Sequence, residues 1–264
     1  MGLAARGRAL VEHRRILWLL VRRDLKVRYA SSTLGYLWTV LDPFMMILIY
    51  WFVFSLIFHG RDVGEEPYIL YLAYGQLAWQ WFNGSVNDTT RALTAETRLV
   101  RSTRLPREIW VLKVVLSKGL EYLFSLPVIA IFMLLTRTPP TWQTVYFPIG
   151  LALQAVLLTG IGLLVASATV LVRDLSRVVR IMLRMAFYAT PILYSVNSID
   201  NPAIRELYAL NPLTGILDLY RVSVFPAEMA SWRNIGLAAV ISVVVLALGA
   251  RVFARLESPV LKEL

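Results

Sequence analysis

Six long apolar stretches constrain the fold of this chain more than any other feature. A helix of about 20 residues crosses the roughly 30 Å hydrocarbon core of a bilayer. The chain has stretches of about this length at residues 36–58, 68–86, 118–136, 145–172, 178–196 and 235–253. With 58% hydrophobic residues in 264, little sequence remains for a separate soluble domain. We therefore predict an all-α integral membrane protein with six transmembrane helices.

Basic residues lie mostly on alternate connections between these stretches. Of the 27 lysines and arginines, eight precede the first stretch, five arginines and Lys113 lie between the second and third, four lie at the junction of the fourth and fifth, and three close or follow the last. Because basic residues accumulate in cytoplasmic segments, the pattern predicts that both termini are cytoplasmic. The net charge of +10 then lies beside the anionic inner leaflet and does not indicate a nucleic-acid partner.

Segments outside the six stretches predict a further division of the chain. Residues 1–35 form an N-terminal segment in which positions 8–28 are typical of an amphipathic helix at the membrane interface. Residues 36–256 form the transmembrane domain, and residues 257–264 form a cytoplasmic tail. Between stretches five and six, prolines surround two short apolar pieces, Ala203–Leu210 and Leu213–Tyr220. We predict two short re-entrant helices here, and an outer loop lying at the interface is the alternative.

Residues for catalysis or metal binding are scarce. The two histidines fall on opposite sides of the predicted membrane, and there is no cysteine. The chain also lacks the Gly-x-x-x-x-Gly-Lys-Ser/Thr phosphate loop, so it cannot bind ATP in that way. We predict no catalytic residue, no metal site and no cofactor in this chain.

Two carboxylates and one arginine column are expected near membrane depth. Glu121 lies one helical turn from Lys118 and is expected to pair with it, whereas Asp42 could cap a helix or pair with a cytoplasmic arginine. The arginine column has intervals of four, three and four and consists of Arg173, Arg177, Arg180 and Arg184. One guanidinium group can donate two parallel hydrogen bonds to two phosphate oxygens. Arg180 and Arg184 are therefore candidates for binding a phosphorylated ligand. For the other two, snorkelling to lipid head groups is favoured.

Aromatic residues predict a path for a sugar chain. Trp51 and Phe54 lie in the middle of the first stretch, and Tyr188 and Tyr194 carry polar tips on the fifth. A glycan can slide on flat apolar surfaces that make few fixed hydrogen bonds. Core packing is the competing interpretation for Trp51 and Phe54.

Four ordered runs resemble the membrane subunits of ABC-2-type polysaccharide exporters, which carry O-antigen, teichoic acid and related glycans. They cover nearly the whole chain. The runs are Arg-Asp-Leu-Lys-Val-Arg-Tyr at 23–29 leading into Ser-Thr-Leu-Gly-Tyr-Leu-Trp at 32–38 and Pro43, Leu-Pro-Arg-Glu-Ile at 105–109, Arg-Asp at 173–174 with Thr-Pro-Ile-Leu-Tyr at 190–194, and Leu-Asn-Pro-Leu-Thr at 210–214 with Tyr-Arg at 220–221. Leu105 stands where the family usually has Phe, and Thr190 stands where Ser is common. Arginine-rich usage favours the galactan exporters of mycobacteria and relatives.

The resemblance implies a homodimer in the cytoplasmic (inner) membrane with two copies of a separate ATP-binding cassette ATPase, which would carry ATP and Mg²⁺. It implies a coupling helix at about Thr94–Leu105, with contacts to the ATPase from Thr94, Arg98, Leu99, Arg101 and Leu105. The cargo would be a glycan linked through pyrophosphate to a polyprenyl lipid, and the pyrophosphate would bind near Arg180 and Arg184.

Two alternative functions are compatible with the same topology. An ABC-2 exporter of a small lipid or drug would not need a continuous aromatic-lined path. A membrane-embedded transferase acting on the polyprenyl carrier would need an acid or base cluster at one membrane face, and the sequence shows none. An adjacent ATP-binding cassette gene would favour export.

Overall fold

Helices make up 82% of the chain in the computed structural model, which describes residues 3–30, 32–57, 65–103, 105–226 and 232–263. No strand occurs in these ranges, so the predicted all-α class is confirmed. The α-helices are α1 (Leu3–Glu12), α2 (Arg14–Tyr29), α3 (Trp38–Trp51), α4 (Tyr68–Thr89), α5 (Thr97–Ser102), α6 (Glu108–Ser125), α7 (Pro127–Thr136), α8 (Phe147–Leu171), α9 (Leu175–Tyr188), α10 (Pro202–Ala209), α11 (Pro212–Arg221) and α12 (Trp232–Glu263). The predicted end of the first stretch at Phe58 lies outside the described residues.

Among the described residues, four helical segments are long and apolar enough to cross a membrane. They are Gly35–Ser55, Glu108–Thr136, Trp142–Leu171 and Trp232–Val260. Helix α4 has 22 residues but carries polar groups such as Gln76 and Gln80. Helix α9 has only 14 residues and includes three arginines. Length and composition therefore support four spans directly, and the two remaining predicted spans depend on what surrounds α4 and α9.

Helix boundaries differ most from the predicted stretches at three places, one of which is α12, which continues ten residues beyond the predicted end at residue 253. The third stretch begins at Glu108, ten residues before the predicted start, and continues from α6 into α7 at Pro127. Helix α9 ends at Tyr188 rather than at residue 196. Pro191 explains this early end, because proline cannot donate a helical hydrogen bond and disfavours helical backbone in the residue before it.

The two short apolar pieces near 197–226 both form helices, and both begin in the same way. The Asn201 side chain accepts a hydrogen bond from the Ala203 backbone N–H at 2.9 Å, and the Asn211 side chain accepts one from Leu213 at 3.0 Å. Each asparagine precedes a proline at the first helical position, where the missing N–H costs nothing. Helix α10 is largely exposed, whereas α11 is almost entirely buried.

Helix α4 lies at the centre of the bundle and packs on α3, α6, α7, α8, α9 and α11. Several of its backbone and side-chain polar groups find partners within the protein, although the Gln76 side-chain oxygen and the Ser85 hydroxyl have none among the described residues. The Gln154 amide of α8 donates to the Ala78 carbonyl at 2.8 Å, and the Tyr220 hydroxyl of α11 donates to the Gln154 side-chain oxygen at 2.8 Å. This burial explains how a helix of modest hydropathy can occupy the core.

Helices α8 and α12 cross with their backbones in contact. A Cβ atom placed on Gly249 would lie 2.3 Å from the Gly160 carbonyl oxygen, and one on Gly160 would lie 2.6 Å from the Leu246 nitrogen. Only glycine allows this approach, which is the small-residue packing common between membrane helices.

We expect Gly249→Ala to destabilise the protein by about 1–3 kcal/mol, because the new methyl group must push the two backbones apart. Thermal unfolding in detergent would measure the loss. Gly236→Ala is the matched control on the same helix, since nothing lies within 4 Å of its Cβ position. Equal unfolding temperatures for the two variants would contradict the close crossing.

Candidate functional site

The segment predicted to couple to an ATPase forms a short exposed helix at one end of the bundle. Residues 90–96 form turns, and α5 follows at Thr97–Ser102. Val100 is 1% exposed and anchors α5 in a small core with Trp110 and Val111. The opposite side of α5 presents Arg98, Leu99 and Arg101 to solvent. Of the other predicted contact residues, Thr94 is exposed and Leu105 is half-buried.

Ion pairs connect this segment to the amphipathic helix α2. Glu96, which directly precedes α5, accepts from the Lys113 amine of α6 at 2.9 Å and from Arg23 of α2 at 3.3 Å. Lys113 also lies 3.4 Å from Asp24 of α2. Lys113 is largely buried, so its charge interactions are screened less than those of a surface pair. Helices α2, α5 and α6 are therefore joined by one charged cluster.

The first and last helices, α1 and α12, meet at this same end of the bundle. The Arg6 guanidinium of α1 contacts Glu108, at the start of α6, and Glu257, near the end of α12, at 2.6 Å each. Since Glu108 closely follows α5 in the chain, α1, α5 and the last turns of α12 share one surface.

The arginine column on α9 has no partner in the described part of the chain. None of Arg173, Arg177, Arg180 and Arg184 makes a side-chain hydrogen bond or ion pair with a described residue. Only Leu183 and Phe187 of α9 are buried. Arg184 is exposed beside Ile181, Met182 and Met185, and Arg180 is half-buried. Unpaired guanidinium groups on an otherwise apolar exposed face favour an anion supplied from outside the chain.

The four predicted path residues occupy two environments. Trp51 and Phe54 are partly buried against the main core, and Phe54 lies in a π-helical segment, Phe52–Ile57, that continues α3. Tyr188 is 71% exposed. The Tyr194 hydroxyl donates to the Tyr188 carbonyl at 2.7 Å, so the structure brings these two tyrosines together. The rings of Tyr50 and Phe187, 6.0 Å apart, place α3 beside α9.

A polar cavity of about 230 Å³ lies between α2, α3, α4 and α6. Glu121 accepts from Lys118 at 2.8 Å, which confirms the predicted pair, and also contacts Arg28 at 3.0 Å. Burial, together with the Glu121 carboxylate, raises the pKa of the Tyr29 phenol to about 12, so this hydroxyl stays protonated. The Asp42 carboxylate lines the cavity and has no ion pair or hydrogen bond with any described residue.

Comparison with known proteins identifies the family. Residues 15–225 match the family described as ABC-2 type transporter. The chain belongs to this family. It is 30% identical over 247 residues to the O-antigen export system permease protein RfbA of Myxococcus xanthus, covering 93% of this chain and 94% of that protein. RfbA of Klebsiella pneumoniae is 29% identical over 243 residues, 92% of each chain. The polysialic acid transport protein KpsM of Escherichia coli is 25% identical over 252 residues, 92% of this chain and 93% of KpsM.

One buried arginine of this ABC-2 transporter was not predicted as a functional or structural centre. Arg221, at the end of α11, is 1% exposed. Its guanidinium donates to the Tyr71 hydroxyl at 2.7 Å, the Pro191 carbonyl at 2.9 Å and the Ile192 carbonyl at 3.0 Å. It also lies 3.5 Å from the centre of the Tyr71 ring. In the sequence, Arg221 is a basic residue of a connection and belongs to the Tyr-Arg pair of the family resemblance, and neither observation predicted a structural role for it.

Gly75 provides the space for this guanidinium. A Cβ atom at position 75 would lie 2.7 Å from an Arg221 nitrogen and 2.9 Å from the Ile192 carbonyl oxygen. A glycine inside an aromatic-rich helix was the one sequence signal that something approaches α4 closely here.

We expect Arg221→Met to destabilise the transporter by at least about 1–3 kcal/mol, because it leaves buried carbonyl groups without donors. Gly75→Ala should act in the same direction by displacing the guanidinium. Arg233→Met is the control, since Arg233 is exposed and pairs only with exposed Glu206 among the described residues. Thermal unfolding of the three variants measures these effects. If Arg221→Met unfolds at the temperature of the unaltered protein, Arg221 does not stabilise the fold through its hydrogen bonds.

Proposed function

We propose that this chain is the membrane subunit of an ABC exporter that moves a polyprenyl-pyrophosphate-linked polysaccharide across the cytoplasmic membrane. ATP hydrolysis with Mg²⁺ on a separate pair of ATPase subunits would drive the movement. The observation that carries the proposal is α5, a short helix anchored by one buried side chain and presenting two arginines and a leucine to solvent, in a chain whose relatives are named as export permeases.

The proposed topology has six spans with both termini in the cytoplasm. Helix α4 would cross as the second span because other helices of the bundle surround it and separate it from the lipid, and α9 would cross as the fifth. The common surface of α1, α5 and the end of α12 is then the cytoplasmic surface. Helices α10 and α11 would be re-entrant on the outer side. Two copies of the chain would form the transporter, with the exposed apolar sides of α3 and α9 available for contact between copies.

The proposed cargo follows from the relatives and from the charge on α9. RfbA and KpsM are named for O-antigen export and polysialic acid transport. A glycan of the O-antigen, teichoic acid or galactan type would carry its pyrophosphate at Arg180 and Arg184, whose guanidinium groups have no described partner. The sugar chain would pass Tyr188 and Tyr194, where exposed aromatic surface is present, and Trp51 and Phe54 would support the path from the core side.

The coupling proposal predicts that Leu99→Ala with Arg101→Ala lowers co-purification of the ATPase or uncouples hydrolysis from export. The reason is that these exposed side chains contribute to docking and not to the fold. The matched control is Leu171→Ala with Arg255→Ala, because Leu171 is 38% exposed against 36% for Leu99 and Arg255 is also exposed. Co-purification and surface glycan are the measurements. Normal values for both in the Leu99/Arg101 variant would exclude docking through α5.

The pyrophosphate proposal predicts that Arg184→Gln reduces the apparent affinity for lipid-linked glycan by about tenfold or more, as expected for a lost charge-assisted hydrogen bond. Basal ATP hydrolysis should stay unchanged. Stimulation of hydrolysis by lipid-linked glycan, titrated in nanodiscs, measures the affinity. Arg173→Gln is the control, because Arg173 lies at the opposite, cytoplasmic end of the arginine column. If both variants respond to glycan like the unaltered protein, Arg184 contacts only membrane lipids.

The alternative function is export of a small lipid or drug. It replaces polysaccharide export if cells that express the complex bring such a molecule, but no glycan, to the outer surface.

A further inference from the structure

The cavity between α2, α3, α4 and α6 has the size and the lining of a small-molecule site. Its volume of about 230 Å³ is far above the roughly 10–15 Å³ that one water needs. Aromatic rings and polar groups both line it, and they come from four helices. The lining residues used below are Tyr29, Trp38, Thr39, Asp42, Gln80 and Lys118.

The charges around the cavity are balanced except for one carboxylate. Lys118 lies 2.8 Å from Glu121 and 3.6 Å from Asp88, and Arg28 contacts the same two carboxylates. Asp42 has no partner among the described residues and its side chain is exposed to the cavity. A phosphate would meet cations that are already neutralised and one free negative charge. The cavity is therefore unsuited to the pyrophosphate part of the cargo.

Hydrogen-bond acceptors and a free aromatic surface lie together in the cavity. Asp42 can accept from two hydroxyl groups, and the Gln80 amide can both donate and accept. Pro43 has no N–H to donate to the Thr39 carbonyl, which leaves a third acceptor at the wall. The Trp38 ring is 42% exposed, whereas Trp81 is buried with its indole N–H bonded to the Val115 carbonyl. Trp38 is thus the ring on which a ligand can stack.

We propose that this cavity binds one neutral sugar ring of the cargo, with Asp42 accepting hydroxyl hydrogen bonds and Trp38 packing on the C–H face of the ring. The site rests on the proposed function, because it takes the sugar class from it. An alkylammonium ion is the competing ligand for a carboxylate among aromatic rings. It is disfavoured because the Lys118 ammonium also lines the cavity, and because it would leave the Gln80 amide and the Thr39 carbonyl unused.

The test is glycoside binding to the purified permease–ATPase complex in nanodiscs. The probes are methyl glycosides of galactose, glucose, mannose and rhamnose at millimolar concentrations, with choline as the ammonium probe. Saturation-transfer NMR and tryptophan fluorescence report binding. At least one glycoside should saturate the complex, and Asp42→Asn should raise its Kd by about tenfold, the effect of losing one hydrogen bond to a charged acceptor. Trp38→Ala should weaken binding of the same glycoside.

Matched controls separate the cavity from general surface effects. Asp200→Asn removes another exposed carboxylate without a described partner, and Trp142→Ala removes an indole that is 74% exposed. Both control variants should bind the glycoside with the Kd of the unaltered complex. Thermal unfolding confirms that each variant folds, and Asp42→Glu, which moves the carboxylate by one methylene, replaces Asp42→Asn if that variant is unstable.

Three results would overturn the site. They are no saturation by any glycoside, unchanged affinity in both cavity variants, or binding of choline in place of the glycosides. A complex that exports glycan but gives one of these results loses only the cavity proposal. If the permease binds no ATPase and cells that express it export no glycan, the proposed function itself is refuted.

Discussion

The Arg221 guanidinium joins three parts of the chain that are far apart in sequence. After α9 ends, Pro191 and Ile192 leave the helical pattern next to α4, where both residues are buried and their carbonyl groups need donors from the protein. In such surroundings each unsatisfied carbonyl costs free energy, and Arg221 supplies the donors from the end of α11. The position of α11 and the early end of α9 therefore depend on the same contact. Gly75 is required because the guanidinium and the Ile192 carbonyl both occupy the space of its missing side chain.

Apolar length was sufficient to predict helices at 36–58, 145–172 and 235–253, because these segments need no partner to be stable in hydrocarbon. Prolines around two short apolar pieces likewise predicted α10 and α11. Helical spacing predicted the Lys118–Glu121 pair. Sequence could not predict the role of Arg221, because its acceptors lie about 30 and 150 residues away and only the packing of α4 against α11 brings them together. For the same reason, sequence offered an arginine partner for Asp42 that the described structure does not contain.

Charged groups in this structure fall into two kinds. At the end of the bundle that carries α5, arginines and lysines pair with carboxylates across α1, α2, α6 and α12, and these contacts fix the helices relative to one another. On α9 and at Asp42, charges have no described partner. A charge that already has a partner must share or lose that contact to bind a new ion, so unpaired charges are better placed to recognise a ligand. The unpaired arginines of α9 and the unpaired Asp42 differ in sign, which suits the proposed cargo with its anionic end and neutral sugars.

The charged cluster at Glu96 also connects the proposed coupling segment to the cavity, because α2 contacts both. Glu96 holds α2 through Arg23, and the last residue of α2, Tyr29, forms part of the cavity wall. A displacement of α5 must either break the Glu96 contacts or move α2 with it. Because Lys113 is buried and contacts both Glu96 and Asp24, breaking the Glu96 contacts would leave this cation with Asp24 as its remaining partner among the described residues. If α2 moves with α5 instead, both contacts are kept and the cavity in which Asp42 lies changes shape, because Tyr29 of α2 lines it.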